Sequence, residues 1–525
     1  MSEYVVDGRL TRRQFIKAGA ALGAGAMAGS LMWDSLWDRR AIAGAADEMP
    51  KITDFITREQ ASELLKLALT RGGDFAEVYA EYTMQTSLGI DQGKLATVEY
   101  GVLSGVGIRV LAGDQVGYAY ADDYDMANLR HAAQVAAAIA TSGKGGTPKA
   151  FGVSAAKPPF TLVSPAPLAL SEEKKIALIR SADAAARGVD PRITQVTATW
   201  ADAAKRILVA NSDGVFETDD QFLSRLTVQS LATDTGKRNN GVGSMGGNVD
   251  DSYYTTAAVE ECSRGASKTA VTLLSAVDPK AGTYPVVIGP GWGGVLVHEC
   301  FGHSLEGDGI RRKTSIRASQ LGQQVAAKGV DIFDDGTVPN GRGSFKVDDE
   351  GTSSRKNQVV KDGVLVGYLW DRLNLKYADA ALTKGASLTG NARRQSYRDF
   401  PIPRMTNTFL ANGTRDPKEI IGEVQDGIYC ADMQGGSVNP ADGTFSFACT
   451  LSYKIEKGQL TSPIKNVTLS GNGADAMKQI DALGNDLTME RGRGSCGKAG
   501  QFKPVGVGQP TVRFTGFTVG GSKTS

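Results

Sequence analysis

His298, Glu299 and His303 form the pattern H-E-x-x-x-H inside GPGWGGVLVHECFGHSLEGD, residues 289–308. The chain has only 3 histidines, and two of them fall in this stretch. An imidazole pair with a carboxylate beside it suits a metal-dependent hydrolase: neutral ring nitrogens bind the ion, and the acid takes a proton from the nucleophilic water. In the common H-E-x-x-H arrangement the histidines stand four apart and share one helix face. Here they stand five apart, and at about 100° per residue they would point about 140° away from each other on a regular α-helix. The spacing therefore predicts a helix distorted by one π-type turn, or one that ends at Gly302, where the missing side chain tolerates the distortion.

A catalytic zinc site uses three protein ligands and keeps a fourth position open. With Glu299 placed as general base, the third ligand has to come from elsewhere: a cysteine, or a carboxylate such as Glu306 or Asp308. Both acids lie in SLEGD, which reads first as a turn whose carboxylates hydrogen-bond to backbone and to the ligating histidines. Cys496 is a distant candidate, in the glycine-rich stretch GRGSCGKAGQFKPVGVGQPTVRF. Its thiolate would give the site the same formal charge as a carboxylate ligand. His131 stands apart in NLRHAAQVAAAIA and reads as an ordinary residue of a helix.

The elements that must position these groups divide the chain. TREQASELLKLALTRG reads as a helix, followed by the strand patterns FAEVYAEYTMQTSLGID and GVGIRVLAGDQVGYAYADD and a second helix through His131. Glycine and proline then mark a linker near 143–170. SEEKKIALIRSADAAARG opens with Ser171 at an N-cap and ends at Gly188. ITQVTATWADAAKRILVANSDG, with a hairpin turn at Ser212-Asp213-Gly214, and QFLSRLTVQSLATD read as strands, and TTAAVEECSRGASKTAVTLLS as the closing helix. Beyond DPKAGTYPVVIG the pattern is short strands and glycine turns around one helix that carries the motif. The reading is an α+β protein: a signal segment over 1–46, an N-terminal α+β domain over 47–275 and a β-rich catalytic domain over 276–525.

A chain of 525 residues with 58 basic and 57 acidic side chains, net charge +1, has no electrostatic footprint for nucleic acid. LTRRQFIKAGAALGAGAMAGSLMW, with Arg12 and Arg13 ahead of a weakly apolar run, looks like a twin-arginine export signal, and Ala41, Ala43 and Ala45 offer cleavage sites. Export predicts a periplasmic or extracytoplasmic mature chain without a stable membrane span. In such a compartment the 5 cysteines could pair, and Cys430 with Cys449 is the plausible pair, although buried free thiols fit their apolar surroundings better. Gly289, Gly291 and Gly294 also spell G-x-G-x-x-G after a strand, but GIRRKTSIRASQLGQ supplies no second strand ending in an acid, as a dinucleotide site requires. Those glycines read instead as room for a helix to start close to a neighbouring strand.

HECFGHSLEGD together with SCGKAGQFKPVGVGQPTVRF resembles the TldD/PmbA family of metallopeptidases, in its motif-bearing TldD branch. DDEGTSSR, GNARRQSYRDFPIPRMTNTFL and GGSVNPADGTFSF extend the resemblance over most of the chain after the signal. The resemblance implies Zn2+ held by His298, His303 and Cys496, with Glu299 as catalytic base, and a small or unfolded peptide as substrate. It also implies a barrel-like C-terminal part and a dimer, with itself or with a sister subunit that lacks the motif. Arg404, Asn407, Asp349 and Glu350 lie in family-like blocks and are candidates for lining the substrate channel, or else for fixing loops. Glu306 and Asp308 are expected to support the ligands. The export signal and Cys300 depart from the family pattern. The rival within the resemblance is an exported scaffold subunit without catalysis.

Overall fold

A computed structural model of the protein describes residues 49–140, 170–490 and 492–520. The proposed signal over 1–46 and nearly all of the linker near 143–170 lie outside the described residues. Helix α1 (Arg58–Ala68) starts where Thr57 and Gln60 cap each other's backbone N–H groups, at 3.3 and 2.9 Å. Six antiparallel strands follow in two groups: β1 (Phe75–Asp91), β2 (Lys94–Ala112) and β3 (Gln115–Ala121), then β4 (Ile193–Asn211), β5 (Phe216–Asp234) and β6 (Lys237–Gly247). They form one sheet in the order β3-β2-β1-β4-β5-β6. Helices α2 (Met126–Ile139), α3 (Glu172–Arg187) and α4 (Thr256–Ser275) complete this half. Ser171 caps α3, as its sequence predicts.

Alternation along β1 decides the layering. Val78 and Ala80 pack with α1 and α2, while Leu88 and Ile90 pack with α3 and α4, so both helix pairs cover the same sheet face. The odd-numbered residues Glu77, Tyr79 and Glu81 point the other way, toward the C-terminal half. The turn at Ser212-Asp213-Gly214 is held by Asn211, whose Oδ1 accepts from the N–H groups of Asp213 and Val215 at 3.0 and 3.3 Å.

The C-terminal half contains a closed barrel. Its five strands are β7 (Gly282–Ile288), β10 (Asp426–Val438), β11 (Thr444–Glu456), β12 (Val467–Asn472) and β16 (Val512–Gly520). β7 pairs with β10 and β16, β16 with β12, β12 with β11, and β11 back with β10. Val286, Phe445, Phe447, Leu469 and Phe514 are among the apolar side chains that fill its core. A second sheet places β8 (Ile332–Asp335) beside β9 (Asn407–Leu410), and β9 parallel to β15 (Gly506–Gln509). β13 (Ser495–Lys498) and β14 (Gln501–Pro504) form a separate two-stranded hairpin. No helix among the described residues is long and apolar enough to cross a membrane.

The glycine-rich entry to the motif is explained by a close approach. A Cβ on Gly294 would lie 2.6 Å from the backbone of Gly508 in β15. Only glycine lets the chain begin its helical turns against that strand.

Candidate metal centre

The motif does not sit on a regular helix. Val295–Val297 forms one α-turn, and His298–Gly302 is a π-turn in which the His303 N–H donates to the His298 carbonyl. The extra residue per turn brings the second histidine back under the first. The two rings stand 5.4 Å apart, centroid to centroid, with their planes at 84°.

Cys496 reaches the pair from the β13–β14 hairpin. Its Sγ lies 3.2 Å from Nε2 of His303, across a sequence separation of 193. One ligand atom each from His298, His303 and Cys496 falls within 4.8 Å of the others. Arg404 fixes the hairpin by donating to the carbonyl of Cys496 at 2.6 Å and to that of Gln501 at 3.1 Å.

Hydrogen-bond direction sets both imidazole tautomers. A carboxylate can only accept, so Nδ1 of His303, 3.0 Å from Glu306 Oε2, carries the proton and leaves the Nε2 lone pair free. Thr408 on β9 donates its single hydroxyl proton to Asp334 Oδ1 at 3.0 Å. Toward His298 Nδ1, at 3.4 Å, the same oxygen can then only accept. Asp334 is buried on β8 and also accepts from Thr406 N and from Asn391 Nδ2, at 2.9 and 2.7 Å. Both rings therefore turn an unprotonated Nε2 toward Cys496.

The electrostatics favour an anionic sulfur. Burial alone would raise the Cys496 thiol, but in the metal-free site protonated His298 and His303 outweigh it and bring the thiol down to about 4; beside neutral rings a bound cation would take over that role. Burial works against Glu306 too, yet Lys498 and His303 hold its carboxyl at about 2. Lys498 bridges Glu306 at 3.1 Å and Asp308 at 2.7 Å. Glu299 is partly exposed, 3.8 Å from His303 Nε2, and burial raises its carboxyl above the ordinary value. Two neutral nitrogens and one thiolate, each nitrogen backed by an acceptor, fit a tetrahedral N/S-binding ion such as zinc.

The sequence matches the PmbA/TldA metallopeptidase domain 1 over residues 76–140, the central domain over 165–274 and the C-terminal domain over 281–521. A metalloprotease TldD homolog of Haemophilus influenzae is 37% identical over 459 residues, 86% of this chain and 94% of the relative. The chain belongs to the PmbA/TldD metallopeptidase family. A metalloprotease TldD homolog of Buchnera aphidicola is 35% identical over 86% of this chain and 94% of the relative. The fold matches that of TldE from Thermococcus kodakarensis with a TM-score of 0.69 at 18% identity, over 88% of this chain and all of that one (100%).

Of the two roles open to the other candidate residues of this TldD-like chain, channel lining and loop fixing, their bonds within the chain fit the second. Arg404, Asn407, Asp349 and Glu350 are all buried and bonded within the chain. Asn407 donates to the Asp335 carbonyl at 2.6 Å and accepts from Gly343 N at 3.0 Å, which fixes a loop. Asp349 Oδ2 accepts from Arg394 N at 2.7 Å, and Glu350 Oε1 from Arg109 at 2.6 Å. Arg109 also pairs with Glu77 of β1 at 2.7 Å, and Arg394 pairs with Glu77 as well, so this buried network joins the two halves. Loop-fixing is the role the geometry gives all four. Of the two acids in SLEGD, Glu306 contacts a ring directly, whereas Asp308 acts one step further out, through Lys498. Cys300 is buried, and Cys430 and Cys449 are free thiols with their sulfurs 3.1 Å apart.

Sequence reasoning missed Thr408, Asp334 and Lys498. Lys498 was accessible in principle, because two residues beyond Cys496 on a strand is the same face. Nothing local distinguishes Asp334 in DIFDDG from its neighbours.

Proposed function

We propose that this protein is a zinc-dependent peptidase that hydrolyses small or unfolded polypeptides at the His298/His303/Cys496 site. The observation that carries the reading is the convergence of two oriented imidazoles and a thiolate-favouring sulfur, with the carboxylate of Glu299 beside them. His298, His303 and Cys496 would hold a zinc ion, which would supply Lewis acidity toward a scissile carbonyl and toward water. Glu299 takes the proton of the attacking water and delivers it to the leaving amine, a task helped by a carboxyl whose burial raises its basicity. Glu306 and Thr408 hold the rings, and Arg404 holds the hairpin that carries the sulfur. An extended peptide pairing with a strand edge of the β-rich half would bind through backbone hydrogen bonds, with weak sequence preference.

The same reading includes export by the twin-arginine route to the periplasm, motivated by Arg12, Arg13 and the apolar run that follows. It also includes assembly as a dimer, with itself or with a motif-lacking sister chain such as a TldE-type subunit. A tight chelator should abolish cleavage of an unfolded polypeptide, and added zinc should restore it. Cleavage that persists in excess chelator would remove the metal from the reaction.

A further inference from the structure

Among the described residues, the sheet face that turns away from the helices is only half covered. Around Glu77, Tyr79 and Glu81 it is closed by the ion network to the C-terminal half. Farther along the same strands it opens into a cavity of about 600 Å³, bounded by Gln85, Glu99 and Arg225 of the sheet and by Arg342 and Pro504 of the C-terminal half.

Strand register places Glu99, Ser87, Ala201 and Arg225 in one row across β2, β1, β4 and β5. Ser87 and Ala201 are small, so the row is a trough with room for a chain. Glu99 lies three strand spacings from Arg225, about 14 Å, too far to neutralise it by contact. Asp202 borders the cavity but is held by Lys175 at 2.6 Å.

The guanidinium of Arg225 makes no hydrogen bond or ion pair with the described residues, although its backbone is paired within the sheet. Arg342 is 9% exposed and donates only Nε, to the Gly494 carbonyl at 3.0 Å, leaving both Nη groups without a hydrogen-bond partner among the described residues. Burial and the charge of Arg225 pull its guanidinium down to about 10. The carboxylate of Glu490 acts in the opposite sense; its Oε1 accepts from the N–H groups of Gly492 and Arg493, at 2.7 and 2.8 Å, and its Oε2 is buried without a hydrogen-bond partner among the described residues, so it partly offsets the two guanidinium charges without pairing with either. Two guanidinium groups facing one cavity without a salt-bridge partner are an unfavourable arrangement unless an anion joins them.

We propose that this cavity is a carboxylate subsite, in which Arg225 and Arg342 take the free C-terminal carboxylate of a peptide. Its place relative to the metal centre fits a substrate site. Gly494, which Arg342 holds, stands two residues before Cys496, and Pro504 pairs with Ser495 on the same hairpin. A peptide whose tail is anchored here runs beside the strand that carries the metal ligand. The inference rests on the peptidase reading for its occupant, though not for the existence of the anion site.

The test uses the full chain with metal bound. N-acetyl-dialanine and its C-terminal amide, each at about 10 mM, are compared by thermal shift on wild type, Arg225→Gln and Arg225→Lys. The carboxylate should raise the Tm of wild type by about 1 °C or more beyond the amide. The difference should vanish in Arg225→Gln and survive in part in Arg225→Lys. No difference in wild type, or an undiminished one in Arg225→Gln, overturns the subsite; the latter would place the carboxylate at the metal instead. Cleavage of an acetylated peptide with a free C-terminus, its amide, and an amide with a Glu near the end then identifies the source of the carboxylate. A preference for the free C-terminus of about tenfold in kcat/KM, lost in Arg225→Gln, is the expected result. Equal cleavage of the Glu-containing amide would show that side-chain carboxylates also enter. A chain that passes the thermal test and cleaves nothing would retain the anion site and lose the peptidase reading.

Discussion

Thr408 stands between His298 and Asp334, its Oγ1 3.4 Å from the imidazole Nδ1 and 3.0 Å from the carboxylate. Because the hydroxyl has one proton and the carboxylate takes it, the imidazole has to be the donor, and its Nε2 stays free to bind metal. Thr408→Val keeps the shape and removes the relay. Metal affinity, measured by competition with a chromogenic chelator, should fall by about 10- to 100-fold. Thr408→Ser, which keeps the hydroxyl, should stay near wild type, and equal affinities in all three proteins would show that the relay does not orient His298.

Glu350 holds the two halves together rather than a substrate. Its Oε1 accepts from Arg109 at 2.6 Å and its Oε2 from the backbone N–H of Arg372 at 2.9 Å, with all three groups buried or nearly so. Glu350→Ala leaves a buried guanidinium with one carboxylate partner fewer, and removing one member of such a network costs about 3 kcal/mol or more. Thermal unfolding should move down by several degrees, while KM of the folded fraction stays unchanged. A normal Tm with a raised KM would return Glu350 to the substrate channel.

Asp219 gives a pH signature far from the metal centre. It is buried on β5, where burial pushes its carboxyl up to about 7, partly offset by hydrogen bonds from Gln221 and from Lys346 N. The folded state therefore holds a proton that the unfolded state has released, across the window between about 4 and 7. Stability from this group declines as pH rises through that window. Asp219→Asn removes the charge, so its Tm should exceed that of wild type at pH 8 and the gain should shrink toward pH 5. A gain independent of pH would mean that Asp219 does not titrate as its burial requires.

The sequence made the metal centre legible where chemistry constrained it locally. Residue types and spacing in H-E-x-x-x-H were enough to anticipate a distorted turn, because five residues cannot return to the same helix face without one. Cys496 was only one of several third-ligand candidates from the residues alone, since nothing in a sequence reports that a hairpin 193 positions away folds onto the histidines. The N-terminal helices and strands followed from capping residues and alternation. The closed barrel agrees with the barrel-like part that the family resemblance implies, but it does not follow from such local signals, because it depends on β7 pairing with strands far away in the chain. For Arg404, Asn407, Asp349 and Glu350 the sequence leaves channel lining and loop fixing both open for a related reason: a polar side chain in a family-like block looks the same in sequence whether it meets a substrate or a buried partner within the chain.

Glu299 carries the proposed proton transfer. Glu299→Gln preserves the size of the side chain and removes its ability to take a proton, while leaving His298, His303 and Cys496 untouched. Zinc content and cleavage of an unfolded polypeptide should be measured on the same preparations of wild type and variant. The expected result is about one zinc per chain in both, with cleavage reduced by about 100-fold or more in the variant. Equal cleavage by the two proteins at equal zinc content would contradict the assignment of Glu299 as the base, and no cleavage by either would leave a metal-binding chain without peptidase chemistry.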